Sequence, residues 1–227
     1  MKFDSWGCII TEESDPGCLG DSAHETARYA VLGGTLKPGT LKQFVSASGF
    51  LRHPNAPYGP PRALESWRES DATSDFVFPL LMACDLTDPE TAIEIRARLR
   101  STWTVAPGHI ASPALMALVY KRLWLMKLLT DAQTLIFNIP WRWSDDGRFK
   151  GRFWKVERTT GSSADYLNYF ISIYYLRRFG YRVKFDRDLV MAKVRAYYEP
   201  RPASDWIVEL YRNRLAPLNL PRGVKGE

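Results

Sequence analysis

Helix-start signatures recur along this 227-residue chain while sustained β-alternation is nearly absent, and that contrast constrains the fold more than any other feature. Asp21-Ser22-Ala23-His24-Glu25 reads as a capping box, with Ser22 capping and Glu25 reaching back. The helix it opens is expected to stop at Gly33-Gly34. Thr40 starts a second helix over 41–48, closed by Gly49. Ser74 is placed to cap a buried helix through Phe76, Leu80 and Leu81, with Pro79 tolerated near its start. Asp88-Pro89-Glu90 and Ser112-Pro113 put proline at the first helical position and launch helices over 90–100 and 113–137. A Tyr-rich helix is predicted from Ser162 or Ser163 to Phe179, and two more over 186–198 and 203–215. Only Phe149 to Val156 alternates, weakly, as a short hairpin arm would.

These starts fall at uneven intervals, which fits an all-α array of helical hairpins better than a solenoid of fixed period. The expected organisation is one helical domain over 1–215 and an exposed tail over 216–227. Two irregular segments interrupt the helices. One, over 53–66, holds Pro54, Pro57, Pro60 and Pro61 with Gly59; the other spans 138–161. A long ordered loop inside a compact domain is more often functional than idle.

Composition removes several classes. With 45% hydrophobic and 13% aromatic residues the chain is globular, not disordered. The most apolar stretch, 114–139, is interrupted by Lys121, Arg122, Lys127 and Asp131, so it reads as a buried helix and not a membrane span. The opening residues lack the apolar core of a signal peptide, so a soluble protein, cytoplasmic or virion-associated, is expected, with no membrane partner. Cys8, Cys18 and Cys84 form no CxxC pair, and the histidines are His24, His53 and His109. Neither a His/Cys zinc site nor any other metal or cofactor is therefore expected, and free thiols are a plainer reading than a Cys8–Cys18 bridge. No P-loop, GxGxxG, HExxH or GxSxG occurs, so nucleotide, zinc-protease and serine-hydrolase readings gain nothing.

Charge is unevenly placed: residues 1–100 carry 10 Lys/Arg against 14 Asp/Glu, and the remainder 21 against 11. An acidic half beside a basic half suits a polar cleft with walls of opposite sign, or a basic half facing a polyanion.

The acidic, aromatic region from Gly20 to Asp75 holds the candidate site. Asp21 and Glu25 share one helix face with Arg28, and Asp71 and Asp75 form a second acidic pair. Glycoside hydrolysis needs two carboxyl groups, about 5–5.5 Å apart for retention or roughly 6.5–9.5 Å for inversion. One member of each pair would supply them if the two helix starts converge, with the more buried one as the acid. The plain alternative is capping and surface ion pairing. Arg52 suits an acidic neighbour or an acidic sugar, and His53 a proton transfer near neutral pH. Trp6, Tyr58 and Trp67 have flat rings that match the C–H faces of a pyranose, although packing of the long loop also accounts for them. Asn168 would hydrogen-bond into the same cavity, or serve as a buried structural amide.

At Gly20-Asp21-Ser22-Ala23, Leu51-Arg52-His53-Pro54 and Thr73-Ser74-Asp75 the chain resembles a group of phage and bacterial proteins similar to the six-hairpin, or α/α-toroid, glycosidase superfamily. That group tends to show a Gly-Asp-Ser-Ala start, an Arg-x-Pro loop and a Ser-Arg-Asp segment before a buried helix. Here Ser74-Asp75 lacks the intervening Arg, and the length is short for six hairpins. The resemblance therefore implies a reduced or incomplete α/α-toroid-like fold and an oligo- or polysaccharide partner. The function it implies is glycan handling, as a glycoside hydrolase or polysaccharide lyase using paired carboxylates.

Two other readings come from different classes. A non-enzymatic virion structural or adaptor protein, partnered by other virion proteins, would account for the short length and the altered motif. A single-stranded nucleic-acid binder would use Trp141-Arg142-Trp143, Arg148-Phe149-Lys150, Arg152-Phe153-Trp154-Lys155 and Arg158, where cations interleave with rings.

Overall fold

Residues 76–84 are apolar on every side, a pattern that a helix satisfies only in the interior. The computed structural model describes residues 3–9, 22–47, 49–51, 53–54, 74–106, 109–138, 161–183, 191, 195 and 205–215. In it those residues form the centre of helix α2 (Ser74–Thr87), and Phe76, Val77, Leu80, Leu81, Met82, Ala83 and Cys84 are buried. Burying each of the larger side chains contributes about 1.5–3 kcal/mol. Pro79 is tolerated because the carbonyl it leaves without an amide partner, that of Asp75, lies in the first turn.

Around α2 stand α1 (Ser22–Val31), α3 (Pro89–Thr102), α4 (Pro113–Val119) and α6 (Gly161–Arg178), each touching it directly. Helix α5 (Leu123–Asn138) bridges α4 and α6, and α7 (Asp205–Leu215) docks Tyr211 against Phe170 of α6 with ring centroids 5.2 Å apart. The described residues are thus mostly helical, as expected, and no helix among them is long and apolar enough to cross a membrane.

Local chemistry explains the ends. Helix α1 stops where expected: Gly33 has φ +87°, and the Gly34 amide donates to the Tyr29 carbonyl. A Cβ on Gly34 would lie 2.3 Å from the Tyr29 ring, so any other residue there requires that ring to move. Asp88 caps α3, accepting from the Thr91 amide at 3.2 Å and hydroxyl at 2.8 Å, and Ser112 caps α4 through the Leu115 amide at 3.3 Å.

Four expectations need correction. The helix predicted over 113–137 is two helices, α4 and α5. Lys121 takes φ +54°, the Arg122 amide donates to Ala117 and the Lys121 amide to Leu118, a Schellman stop with lysine where glycine is usual. The helix predicted over 41–48 is only a 3-10 turn, Leu41–Phe44. Val45 then pairs with Phe50 as an isolated bridge, which Ser46 closes by bonding Gly49 through its amide and hydroxyl. Ser74 is itself helical, and its hydroxyl accepts from the Ser112 amide at 2.9 Å, tying α2 to the segment before α4.

The fourth concerns strands: a small antiparallel pair, β1 (Thr104–Ala106) and β2 (His109–Ile110), was not anticipated. It begins just after Trp103 ends α3 in the left-handed region at φ +57°. The arm expected over 149–156, the tail over 216–227, and the helix over 186–198 apart from helical Met191 and Arg195 lie outside the described residues.

Candidate functional site

The first seven described residues form a tight turn against α1. Phe3 bridges Ile9, the Asp4 amide donates to the Cys8 carbonyl at 2.9 Å, and Gly7 takes φ +82° to close the loop. The Ile9 amide donates to Thr26 Oγ1 at 2.9 Å and the Phe3 ring meets Tyr29 edge-on at 5.9 Å, so the turn is held along α1. Asp4 folds back on its own turn, Oδ1 accepting from the Trp6 amide at 2.9 Å and the Cys8 amide at 2.8 Å. Its other oxygen, Oδ2, lies 2.6 Å from His53 Nε2. Cys8 completes a trio: one ligand-type atom each from Asp4, Cys8 and His53 lies within 4.8 Å of the others.

Cys8 is fully buried and His53 nearly so, while Asp4 keeps an edge in solvent. Burial pushes the Cys8 thiol up to about 12, and the Asp4 carboxylate adds to the shift. A thiol this reluctant to ionise is no nucleophile at neutral pH.

Glu25 and Arg28 stand in the interior, each 1% exposed, and not at a surface or cleft mouth. Arg28 Nη1 donates to Glu25 Oε1 at 2.9 Å. Its Nε and Nη2 donate to Asn168 Oδ1 at 3.3 and 3.2 Å, which joins α1 to α6. Asn168 is thus a buried amide holding two helices together, the alternative foreseen for it.

A comparable buried network sits between α2, α3 and α6, where Asp85 Oδ2 accepts from Arg96 and from the Tyr175 hydroxyl at 2.8 Å. Burial, then the charge of Asp85 and its hydrogen bond, hold the Tyr175 hydroxyl well above the ordinary range.

Trp6 leaves its ring exposed on the turn that carries Asp4, while its carbonyl accepts from Gln43 Nε2 at 3.2 Å. Gly7 beside it packs on Thr40 and Lys37, where an added Cβ would lie 3.0 Å from Thr40 Oγ1 and 3.5 Å from Lys37 Cδ. Those two residues line an open groove of about 750 Å³ between the 34–42 segment and the start of α3, whose walls include Lys42, Asp88, Glu90, Thr91 and Glu94. Lys42 pairs with Glu94 across it.

The two helix starts do meet. His24 in the first turn of α1 and Phe76 in the first turn of α2 make an edge contact at 5.6 Å. Phe76 also touches Phe44, whose carbonyl accepts from the Leu51 amide at 2.8 Å. Leu51 is therefore tied, through Phe44, to the start of α2. Of the predicted site residues, Trp6 and His53 are brought to the N-terminal turn, and Glu25, Arg28 and Asn168 to the interior cluster. Asp21, Arg52, Tyr58, Trp67 and Asp71 lie outside the described residues, as do the side chain of Asp75 and the basic segment 141–158.

Sequence reasoning missed Asp4 and Cys8. Their one signal was the spacing Asp4-x-x-x-Cys8 around Gly7, which is short enough to close a turn but has no meaning until His53 arrives from a distant segment. No protein-family model, no curated protein and no solved structure matches this chain.

Proposed function

We propose that this chain is a glycan-handling protein on a reduced α/α-toroid-like scaffold, binding an oligo- or polysaccharide at the groove beside its N-terminal turn. The observation that carries the reading is a groove walled by hydroxyl, carboxylate and ammonium groups, with the exposed ring of Trp6 on the turn whose Gly7 packs against two of its lining residues, Thr40 and Lys37. Sugars are recognised by that combination: a ring against their C–H face, and polar groups of both kinds around their hydroxyls. Supporting it, His24 and Phe76, which follow two of the segments that resemble the toroid superfamily, are in ring contact, and Leu51 of the third bonds Phe44, which touches Phe76.

The test is retention on a panel of immobilised polysaccharides, with hydrolase and lyase products assayed in the same samples. Retention lost on Trp6→Ala, with helical circular dichroism unchanged, supports the reading. Retention that is absent in the wild type, or indifferent to Trp6→Ala, overturns it. The burial of Glu25 against Arg28 favours a second reading, in which the same scaffold binds without turnover as a structural or adaptor protein. Retention with no product separates that outcome from an enzyme.

A further inference from the structure

We infer that Asp4, Cys8 and His53 form a binding site for one divalent cation of the zinc type. The donor set is one thiol sulfur, one imidazole nitrogen and one carboxylate oxygen, with all three atoms within 4.8 Å of one another. Tetrahedral zinc holds its ligands at about 2.0–2.3 Å, which places ligand atoms roughly 3.3–3.7 Å apart. The trio is therefore within about 1.5 Å of a zinc shell, and the Asp4–His53 contact of 2.6 Å must open by under about 1 Å. Sulfur in the set selects zinc or a similar borderline-soft ion over magnesium or calcium, which prefer oxygen.

The surroundings are those that a metal site needs. Asp4 and Cys8 come from one turn, pinned by the Phe3–Ile9 bridge and the bond from the Asp4 amide to the Cys8 carbonyl. Two amides orient Asp4 through Oδ1, so that Oδ2 is the oxygen turned to His53. The sulfur and the imidazole are sheltered from water, and Asp4, 21% exposed, marks the side from which an ion enters. Binding releases the Cys8 thiol proton to solvent as the Cys8–metal bond forms. Three protein ligands leave a fourth tetrahedral position for water or an incoming ligand, the pattern of reactive and not purely structural zinc. This inference does not rest on the glycan reading, and its test uses no sugar.

The experiment uses the full chain stripped with chelator and dialysed. Zinc is titrated in competition with a chromophoric chelator, and cobalt(II) is used as a spectroscopic probe. The expected result is one equivalent of metal, with a near-ultraviolet sulfur-to-cobalt band and the visible bands of a tetrahedral site. Cys8→Ser should abolish the sulfur band. Asp4→Asn, which keeps the acceptor for both amides, should weaken zinc by at least about 10–100-fold while preserving the helical spectrum. A wild-type chain that gives no sulfur–cobalt band overturns the inference with no variant needed. So does a band that survives Cys8→Ser, or an Asp4→Asn chain that binds zinc as tightly as the wild type.

Discussion

Two polar clusters are built on α1 or held against it: Glu25–Arg28–Asn168 within the fold and Asp4–Cys8–His53 at its edge. In the first each member is buried, Glu25 and Arg28 pair as opposite charges on α1, and Arg28 ties them to Asn168 of α6. The second comes from a surface turn and a loop, mixes sulfur, nitrogen and oxygen, and keeps one carboxylate edge in water. A buried, neutralised pair can hold helices but can do little to a ligand. A trio with an open side beside an exposed Trp6 can take one up. Burial of charge marks structure here, and partial exposure marks the cluster proposed to bind metal.

The largest test of that contrast is Glu25→Ala. It removes one partner of a buried ion pair and should cost about 3–5 kcal/mol in denaturant unfolding. An unchanged midpoint would erase the structural half of the contrast. Next comes alkali. Cys84 and Tyr175 are both held above their ordinary values, chiefly by burial. The fold therefore keeps protons that the unfolded chain gives up once the pH passes the ordinary thiol value of 9.0. Stability should be full below that pH and fall above it, by up to about 1.4 kcal/mol per pH unit for each group. Chemical melts from pH 8 upward would read the slope, and Cys84→Ala should lower it by one group's share.

Asp4→Asn should be milder. Its amide oxygen still accepts from Trp6 and Cys8, so unfolding in the absence of metal should move by about 1 kcal/mol. A loss as large as that of Glu25→Ala would make the edge cluster a second structural pair. Smallest is Glu94→Gln, which breaks a solvent-exposed pair with Lys42 and should cost no more than about 0.5 kcal/mol in the same melts.

What the sequence revealed follows the range of the interactions. Asp88, Pro89, Ser112 and Gly33 act within a turn of themselves, and the ends they set were legible. The break between α4 and α5 was not, because Lys121 occupies a left-handed position with nothing in its side chain to announce it. The 41–50 segment has apolar spacing that suits a helix, but the Ser46–Gly49 closure turns Val45 and Phe50 into a bridge.

The site divides the same way. Glu25 and Arg28 are three residues apart and were seen together, whereas Asn168 reaches them from 140 residues away. That Glu25 is interior, and not at a cleft mouth, depends on packing from elsewhere in the chain that its own helix does not reveal. Asp4 and His53 meet 49 residues apart, through a turn whose register the sequence does not announce.

The most direct test of the central claim is thermal unfolding of the wild type and Asp4→Asn, each with and without zinc. A ligand at 100 times its dissociation constant stabilises the form it binds by about 2.7 kcal/mol. The wild-type midpoint should rise with zinc, and that of Asp4→Asn by about half as much or less. No rise in the wild type, or an equal rise in both, would contradict a functional cluster at the edge of α1.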